Sequence, residues 1–249
     1  MNYNDVGIII LAAGKGTRMK SDMPKVLHKV AGKSMVMHVI ETAKKITLDN
    51  IHVVIGHKSQ NVKDEINKYC KVNFAKQKQL IGTGDAVKSA TPGMDSSIKD
   101  ILVLCGDVPL IQEKTIINLI DTHKHNCAKV SVLAVDLDDP TGYGRIVLDD
   151  QKNMLCIREE ADTNTDEKKI NKINTGIYCF DKKFLISALD EIKPDNNQAE
   201  YYLTDIVEIA QKKYEKIMAV TMNDYRQVIG VNTIRELNRV ENLIKEYGK

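Results

Sequence analysis

The chain has 249 residues, 43% hydrophobic and 28% charged, which is enough apolar material for one sizeable core and excludes a disordered chain or a membrane bundle. Its 36 Lys and Arg against 34 Asp and Glu leave a net charge of +2, which argues against a dedicated nucleic-acid or polybasic membrane-surface protein. The five cysteines (Cys70, Cys105, Cys127, Cys156 and Cys179) are odd in number, widely spaced and without a CxxC pair, which rules out the usual zinc frameworks and argues against a disulfide scaffold.

The N-terminus, Met-Asn-Tyr-Asn-Asp, lacks the basic n-region of a signal peptide, so a cytoplasmic protein is expected. Val6 to Leu11 (VGIIIL) is a continuous apolar run rich in β-branched residues, the habit of strands buried on both faces of a parallel sheet. The apolar stretch ends at Gly14, far short of a bilayer span. A Gly-rich segment follows, then helical spacing from Ser34 to about Lys45 with Ser34 as N-cap. Ile51 to Ile55 predicts a strand, Ser59 to Lys68 a polar helix, Ile101 to Cys105 a third buried strand, Gln112 to His125 a helix and Val130 to Val135 a strand. This alternation points to a Rossmann-like, doubly wound α/β sheet. From about Tyr143 to Phe180 the pattern changes to short strands, followed by helices near Lys182 to Glu191 and Tyr201 to Lys213, a strand at Ile217 to Thr221 and a closing helix. Thr233 and Glu236 have the spacing of a capping box for that helix. The expected architecture is a mostly parallel nucleotide-binding sheet joined to a smaller mixed part, over residues 1–232, with a C-terminal helix over 233–249.

The most informative segment is Leu11-Ala12-Ala13-Gly14-Lys15-Gly16-Thr17-Arg18-Met19, followed by Met23-Pro24-Lys25. It follows the first strand directly, at the carboxyl edge where open α/β sheets bind ligands. Its glycines let backbone amides approach an anion, and Arg18 and Lys25 add a guanidinium fork and a point charge. Both GxxxxGK[ST] and GxGxxG fail at Met19, so the loop is neither a Walker loop nor an ordinary dinucleotide site.

LAAGKGTRM…PKVLHKVAGKSMVMHVI resembles the nucleotidyltransferase signature of sugar-nucleotide pyrophosphorylases. Further motifs keep the same order: Gly82-Thr83-Gly84, Gly106-Asp107-Val108-Pro109-Leu110, Asp139 to Ile146 (DPTGYGRI), Ile173 to Ile177 (INTGI), Glu200 to Asp205 (EYYLTD) and Gly230-Val231-Asn232. Together they resemble the uridyltransferase domain of the bacterial bifunctional N-acetylglucosamine-1-phosphate uridyltransferase / glucosamine-1-phosphate acetyltransferases, over nearly the whole chain. The resemblance implies UMP transfer from UTP to N-acetylglucosamine 1-phosphate with Mg²⁺, and small-molecule partners alone, with no nucleic acid or membrane. It implies that Leu11, Ala12, Ala13 and Gly14 line the nucleotide, with Gln77, Gly82 and Thr83 at the uracil. An amide offers both donor and acceptor, which suits an imide-like base. Arg18 and Lys25 would be catalytic, Asp107 and Asn232 the metal ligands, and Gly144, Glu159, Asn174, Tyr202 and Thr204 the sugar side. Without the resemblance, Gln77 reads as a surface polar residue, Asp107 as a turn or cap aspartate, and Asn232 as a helix cap. His28 and His38 read as structural.

The chain departs from the family pattern at Cys105, where an aromatic residue is usual, at Asp85, where GTGHA has histidine, and at Ala161, near Glu159, where a lysine is missing. No hexapeptide array precedes Lys249, so no left-handed β-helix, no acetyl transfer and none of the trimer-forming element are expected. Two rivals remain at this stage: the same chemistry on another sugar phosphate or nucleotide, and a non-catalytic sensing domain on the same fold.

Overall fold

The computed structural model describes residues 3–247. Met1 and Asn2, which open the N-terminus read above, and Gly248 and Lys249, which end the expected C-terminal helix, lie outside the described residues. In chain order the chain forms β1 (Val6–Leu11), β2 (Lys29–Val30), β3 (Lys33–Ser34), α1 (Met35–Lys44), β4 (Ile51–Ile55), α2 (Ser59–Asn67), β5 (Asn73–Lys76), α3 (Thr83–Ala90) and β6 (Asp100–Cys105). It continues through α4 (Glu113–His125), β7 (Val130–Asp136), β8 (Gly144–Leu148), β9 (Met154–Arg158), β10 (Lys172–Asp181), α5 (Lys182–Leu189), α6 (Asp205–Lys212), β11 (Ile217–Thr221) and α7 (Ile234–Tyr247).

The main sheet runs β11-β7-β10-β6-β1-β4-β5, with β8 joined to β10 and β9 to β8. β1 is parallel to β4 and β6, β4 to β5, and β7 to β11. The alternation of β1 explains its place. Ile8 and Ile10 face a core shared with α1, α2 and α4, while Ile9 faces the core under α3, α5 and α6. All three isoleucines are fully buried, each stabilising by roughly 2–3 kcal/mol relative to exposure. The fold is therefore a mostly parallel sheet covered on both faces, with a smaller antiparallel part built on β8, β9 and β10.

β10 is the strand that joins the two parts. It runs antiparallel between β6 and β7, and its first residues pair with β8, Asn174 opposite Gly144. A register shift between Asn174 and Tyr178 bends it at the carboxyl edge of β1 and β6. The motifs INTGI and DPTGYGRI thereby reach the same edge as the Gly-rich loop. A third core cluster binds α7 to the region after β1: Val240 packs with Met19, Val30, Met35 and Leu110. The five cysteines are all free, and among the described residues no helix is long and apolar enough to cross a membrane.

β5, α3 and the β2–β3 hairpin were not expected from sequence. α6 also starts at Asp205 rather than near Tyr201. Tyr201 spends its backbone elsewhere: its N–H donates to Ile81 O at 2.8 Å and its carbonyl accepts from Gly84 N at 2.8 Å. The pull of that clasp keeps residues 201–204 out of the helix.

Candidate active site

Two cavities open side by side at the carboxyl edge of the sheet. The first, about 520 Å³, is lined by Leu11 to Thr17, Lys25, Gln77, Leu80, Gly82, Thr83, Cys105, Asp107 and Glu200 among others. The second, about 230 Å³, is lined by Tyr143, Gly144, Glu159, Asn174, Thr204 and Asn232 among others. Leu11, Thr83, Cys105 and Asp107 border both. A larger open depression of about 620 Å³ lies at Tyr3, Asp5, Asp121 and Lys124, and its polar groups pair with one another.

The Gly-rich loop makes one wall of the first cavity. The amides of Ala13, Gly14, Lys15 and Gly16 donate to no protein acceptor among the described residues, whereas Ala12 N–H is used by Val54 O at 2.9 Å. A run of free amides forms an anion-binding concavity. Gly16 has φ +62°, and a Cβ there would sit 2.5 Å from Lys25 Cβ, so only glycine lets the loop fold back on Lys25. Arg18 is exposed, makes no hydrogen bond or ion pair among the described residues and lines neither cavity, although its chain neighbour Thr17 lines the first.

Lys25, Asp107 and Asn232 meet where the cavities join. The Lys25 ammonium pairs with Asp107 Oδ2 and donates to Asn232 Oδ1 at 2.9 Å. Asp107 follows the end of β6, and Asn232 precedes α7. The alternative reading of Asn232 as the helix cap fails. Thr233 Oγ1 accepts from Glu236 N–H at 3.2 Å, while Glu236 Oε2 accepts from Asn232 N–H at 2.7 Å and Thr233 N–H at 2.8 Å. The capping box thus leaves the Asn232 side chain to the site. A carboxylate and an amide oxygen converging on one positive charge are hard donors suited to a cation such as Mg²⁺. Among the described residues no group of three or more His, Cys, Asp or Glu could hold a metal. The set fits an ion that takes its remaining ligands from phosphates and water rather than from a protein cage.

Cys105 lies between Asp107 and the bend of β10, its Sγ directed at Gly176 O at 3.3 Å. Burial first, and the Asp107 charge second, push its thiol up to about 12, so it stays neutral and is no nucleophile. In the second cavity, Thr204 Oγ1 donates to Glu159 Oε1 at 3.1 Å, and burial raises the carboxyl pKa of Glu159 above its ordinary value. Asn174 Oδ1 accepts from Gly176 N–H at 3.0 Å. Gly144 lies against Glu159: a Cβ there would sit 3.3 Å from Oε2.

Gly144, Glu159, Asn174 and Thr204 thus meet in one cavity. Tyr202 does not join them; it lines a separate, acidic depression behind Glu159, with Asp162 and Asp205. Arg145 of DPTGYGRI is fully buried and pairs with Glu160 Oε2 at 2.8 Å, bracing the turn from behind. Gln77 is buried in the first cavity, not on the surface, and both amide hydrogens are used within the protein, on Gly82 O at 3.0 Å and Asp85 Oδ2 at 2.8 Å. Only its carbonyl is left, which corrects the expectation of a mixed donor and acceptor. Sequence reasoning missed Lys15 and Thr17 although they lie within the loop motif, and missed Glu200, Tyr143 and Tyr178, which only the tertiary fold brings to the cavities. His38, read as structural, contacts Val30 O at 2.8 Å through Nε2 and fixes the hairpin.

Comparison with known families places residues 7–237 in one family, described as nucleotidyl transferase. The chain belongs to the nucleotidyl transferase family. It is 44% identical over 237 residues to the bifunctional protein GlmU of Clostridioides difficile (strain 630), covering 95% of this chain and 51% of that protein. It is also 44% identical over 233 residues to the bifunctional protein GlmU of Shouchella clausii (strain KSM-K16), covering 94% of this chain and 51% of that protein. The chain spans about half the length of the curated relatives it matches. Among solved structures it is similar in fold to a UDP-glucose pyrophosphorylase complexed with UDP-glucose, at TM-score 0.73 and 17% identity over 97% of this chain and 98% of that one. HddC from Yersinia pseudotuberculosis, complexed with GMP-PN, gives TM-score 0.70 at 20% identity over 96% of this chain and 99% of that one. These likenesses show the nucleotidyl transferase fold.

Proposed function

We propose that this nucleotidyl transferase moves UMP from UTP to N-acetylglucosamine 1-phosphate, giving UDP-N-acetylglucosamine and pyrophosphate. The observation that carries the reading is the meeting of Lys25, Asp107 and Asn232 at the junction of the two cavities, where a nucleotide and a sugar phosphate would touch. The identity to bifunctional GlmU proteins supports this choice of substrates. UTP occupies the larger cavity, its phosphates on the free amides of 13–16 and its base against Gln77, Gly82 and Thr83. The sugar occupies the smaller one, near Gly144, Glu159, Asn174 and Thr204; Tyr202 lies outside it, in the depression behind Glu159.

The sugar phosphate is already an anionic nucleophile, so no general base is needed, in keeping with the neutral Cys105 thiol. One of its oxygens bonds to the α-phosphorus, and the bond from that phosphorus to the β-phosphate oxygen breaks, releasing pyrophosphate. The task is to bring two polyanions into line and to stabilise the departing charge. Lys25 does so at the junction and Arg18 from the rim. Nucleotidyl transferases generally use a divalent metal. Here Asp107 and Asn232 would hold Mg²⁺, which when bound neutralises charge on the phosphates.

The test is pyrophosphate release by the purified chain with UTP, Mg²⁺ and N-acetylglucosamine 1-phosphate, beside other nucleotides, other sugar phosphates and EDTA. Release confined to the first pair and abolished by EDTA is expected. Lys25→Ala or Arg18→Ala should each lower turnover by on the order of 100-fold or more, the scale of losing a preorganised charge stabiliser. Equal release with another pair overturns the substrate assignment, and near-wild-type turnover in either variant removes that residue from the mechanism.

A further inference from the structure

We propose that Asp85 is a positioning residue that selects the base: it locks the Gln77 amide so that only a carbonyl oxygen faces the nucleotide. The inference deepens the reading of the first cavity as a UTP site and rests on it. Asp85 sits in the first turn of α3. It lines no part of the nucleotide cavity but a depression behind it, beside Gly84, Lys88 and Tyr201. It therefore acts on the nucleotide only through Gln77.

The orientation of an amide side chain is ordinarily an assignment, because its oxygen and nitrogen are alike in size. Here the neighbours decide it. The Gly82 carbonyl, 3.0 Å away, and the Asp85 carboxylate, 2.8 Å away, sit at the same end of the Gln77 amide. Both can only accept, so that end must be the NH₂ group. Both of its hydrogens are consumed, and Oε1 takes no hydrogen bond from the described residues. Turning the amide over would set Oε1 against two acceptors, one of them a carboxylate, and abandon a charge-assisted bond.

A glutamine free to turn accepts bases of either polarity. A locked one does not. Uracil presents its ring N3–H to an acceptor; cytosine presents a lone pair on N3, and adenine a lone pair on N1. The Asp85–Gln77 pair therefore favours a ring N–H over a ring lone pair; without Asp85 only the neutral Gly82 carbonyl holds the amide, and it turns more readily to suit a ring lone pair. Gly82 is part of the same lock, since its carbonyl is the second acceptor and its backbone is pinned against Tyr201.

The experiment measures Kd for UTP and for CTP by calorimetry, with Mg²⁺ and without sugar phosphate, on the wild type, Asp85→Asn, Asp85→Ser and Gln77→Ala. The preference for UTP over CTP should fall at least about tenfold in both Asp85 variants, while kcat at saturating UTP stays near wild type. In the Gln77→Ala background, Asp85→Asn should have no further effect, because the two residues act as a unit. An unchanged preference, or equal weakening of both nucleotides, overturns the role of Asp85. A second readout does not depend on the variants binding well. The Gln77 side-chain NH₂ hydrogens should exchange slowly with solvent in the wild type and fast in Asp85→Asn; fast exchange in the wild type overturns the lock. A wild type that binds CTP as well as UTP overturns both the lock and the UTP site. UTP selection in binding without pyrophosphate release from N-acetylglucosamine 1-phosphate defeats only the reaction assigned above and leaves the lock standing.

Discussion

Gly82 has φ +121°, and a Cβ added there would sit 2.6 Å from Tyr201 N and closer still to Tyr201 O. Two costs fall on one substitution, a backbone conformation that side chains avoid and an overlap with main chain that cannot swing away. Gly82→Ala should lower unfolding free energy by about 3 kcal/mol, read from urea titration; a loss under about 1 kcal/mol would mean the clasp to Tyr201 is loose. Asp205 carries a different residue-scale cost. Burial, then Glu208 and Glu159, push its carboxyl up to about 6. Between its ordinary value and pH 6 the folded chain holds a proton that the unfolded chain releases, so this group's contribution to stability falls as pH rises through that window. Above it, the buried charge is a constant penalty. Asp205→Asn should raise Tm near pH 7.5 by about 2–4 °C, the effect of about 1 kcal/mol after discounting for partial exposure, and the gain should vanish near pH 4. A gain of the same size at pH 4 would mean the effect is packing rather than charge.

At the scale of elements, the clearest forecasts were those whose signal is local. β4 and β11 run over the residues their apolar runs marked, and the capping box of α7 forms as its spacing predicts. Thr233→Ala should cost about 1 kcal/mol of unfolding free energy, measured by the shift of the urea midpoint. The box also holds the Asn232 backbone through Glu236, so loosening it should weaken Mg²⁺-dependent nucleotide binding as well. Unaltered stability in Thr233→Ala would show that packing of α7 on Met19 and Val30 suffices without the cap. The elements missed were those with weak local signal. β5 is a short edge strand with exposed and half-buried residues, and α3 is eight residues long, starts after a glycine and carries small apolar residues. Tertiary contact, not intrinsic preference, stabilises both.

Over the whole molecule, the sheet gathers distant segments into one site. The first cavity draws on β1 and its loop, the end of β5, the start of α3, the end of β6 and Glu200. A ligand bridging all of these binds the folded chain and not the unfolded one, so UTP with Mg²⁺ at about 100 times its Kd should add about 2.7 kcal/mol. That corresponds to a Tm rise of about 5–10 °C in a thermal scan. Asp107→Ala should lose most of the Mg²⁺-dependent part of that rise. A rise of equal size without Mg²⁺ would place the affinity in the amide loop and Lys25 instead.

Sequence by itself determined the class of fold and the family and marked the Gly-rich loop as a candidate site, because buried runs rich in β-branched residues, glycine spacing and motif order are properties of neighbouring residues. It also supplied the identities of Lys25, Asp107 and Asn232. Their meeting was decided only by the tertiary structure, since Lys25 and Asn232 lie 207 positions apart in the chain and the insertion of β10 between β6 and β7 is invisible to local pattern. The same holds for Tyr202, which a motif placed with the sugar and the backbone turned behind Glu159, and for Gln77, whose polarity depends on Asp85 and Gly82 across a turn. Hydrophobic periodicity records which face of an element is buried. It does not record which side chains from different elements share a cavity, because that depends on strand order and on packing between segments far apart in the chain.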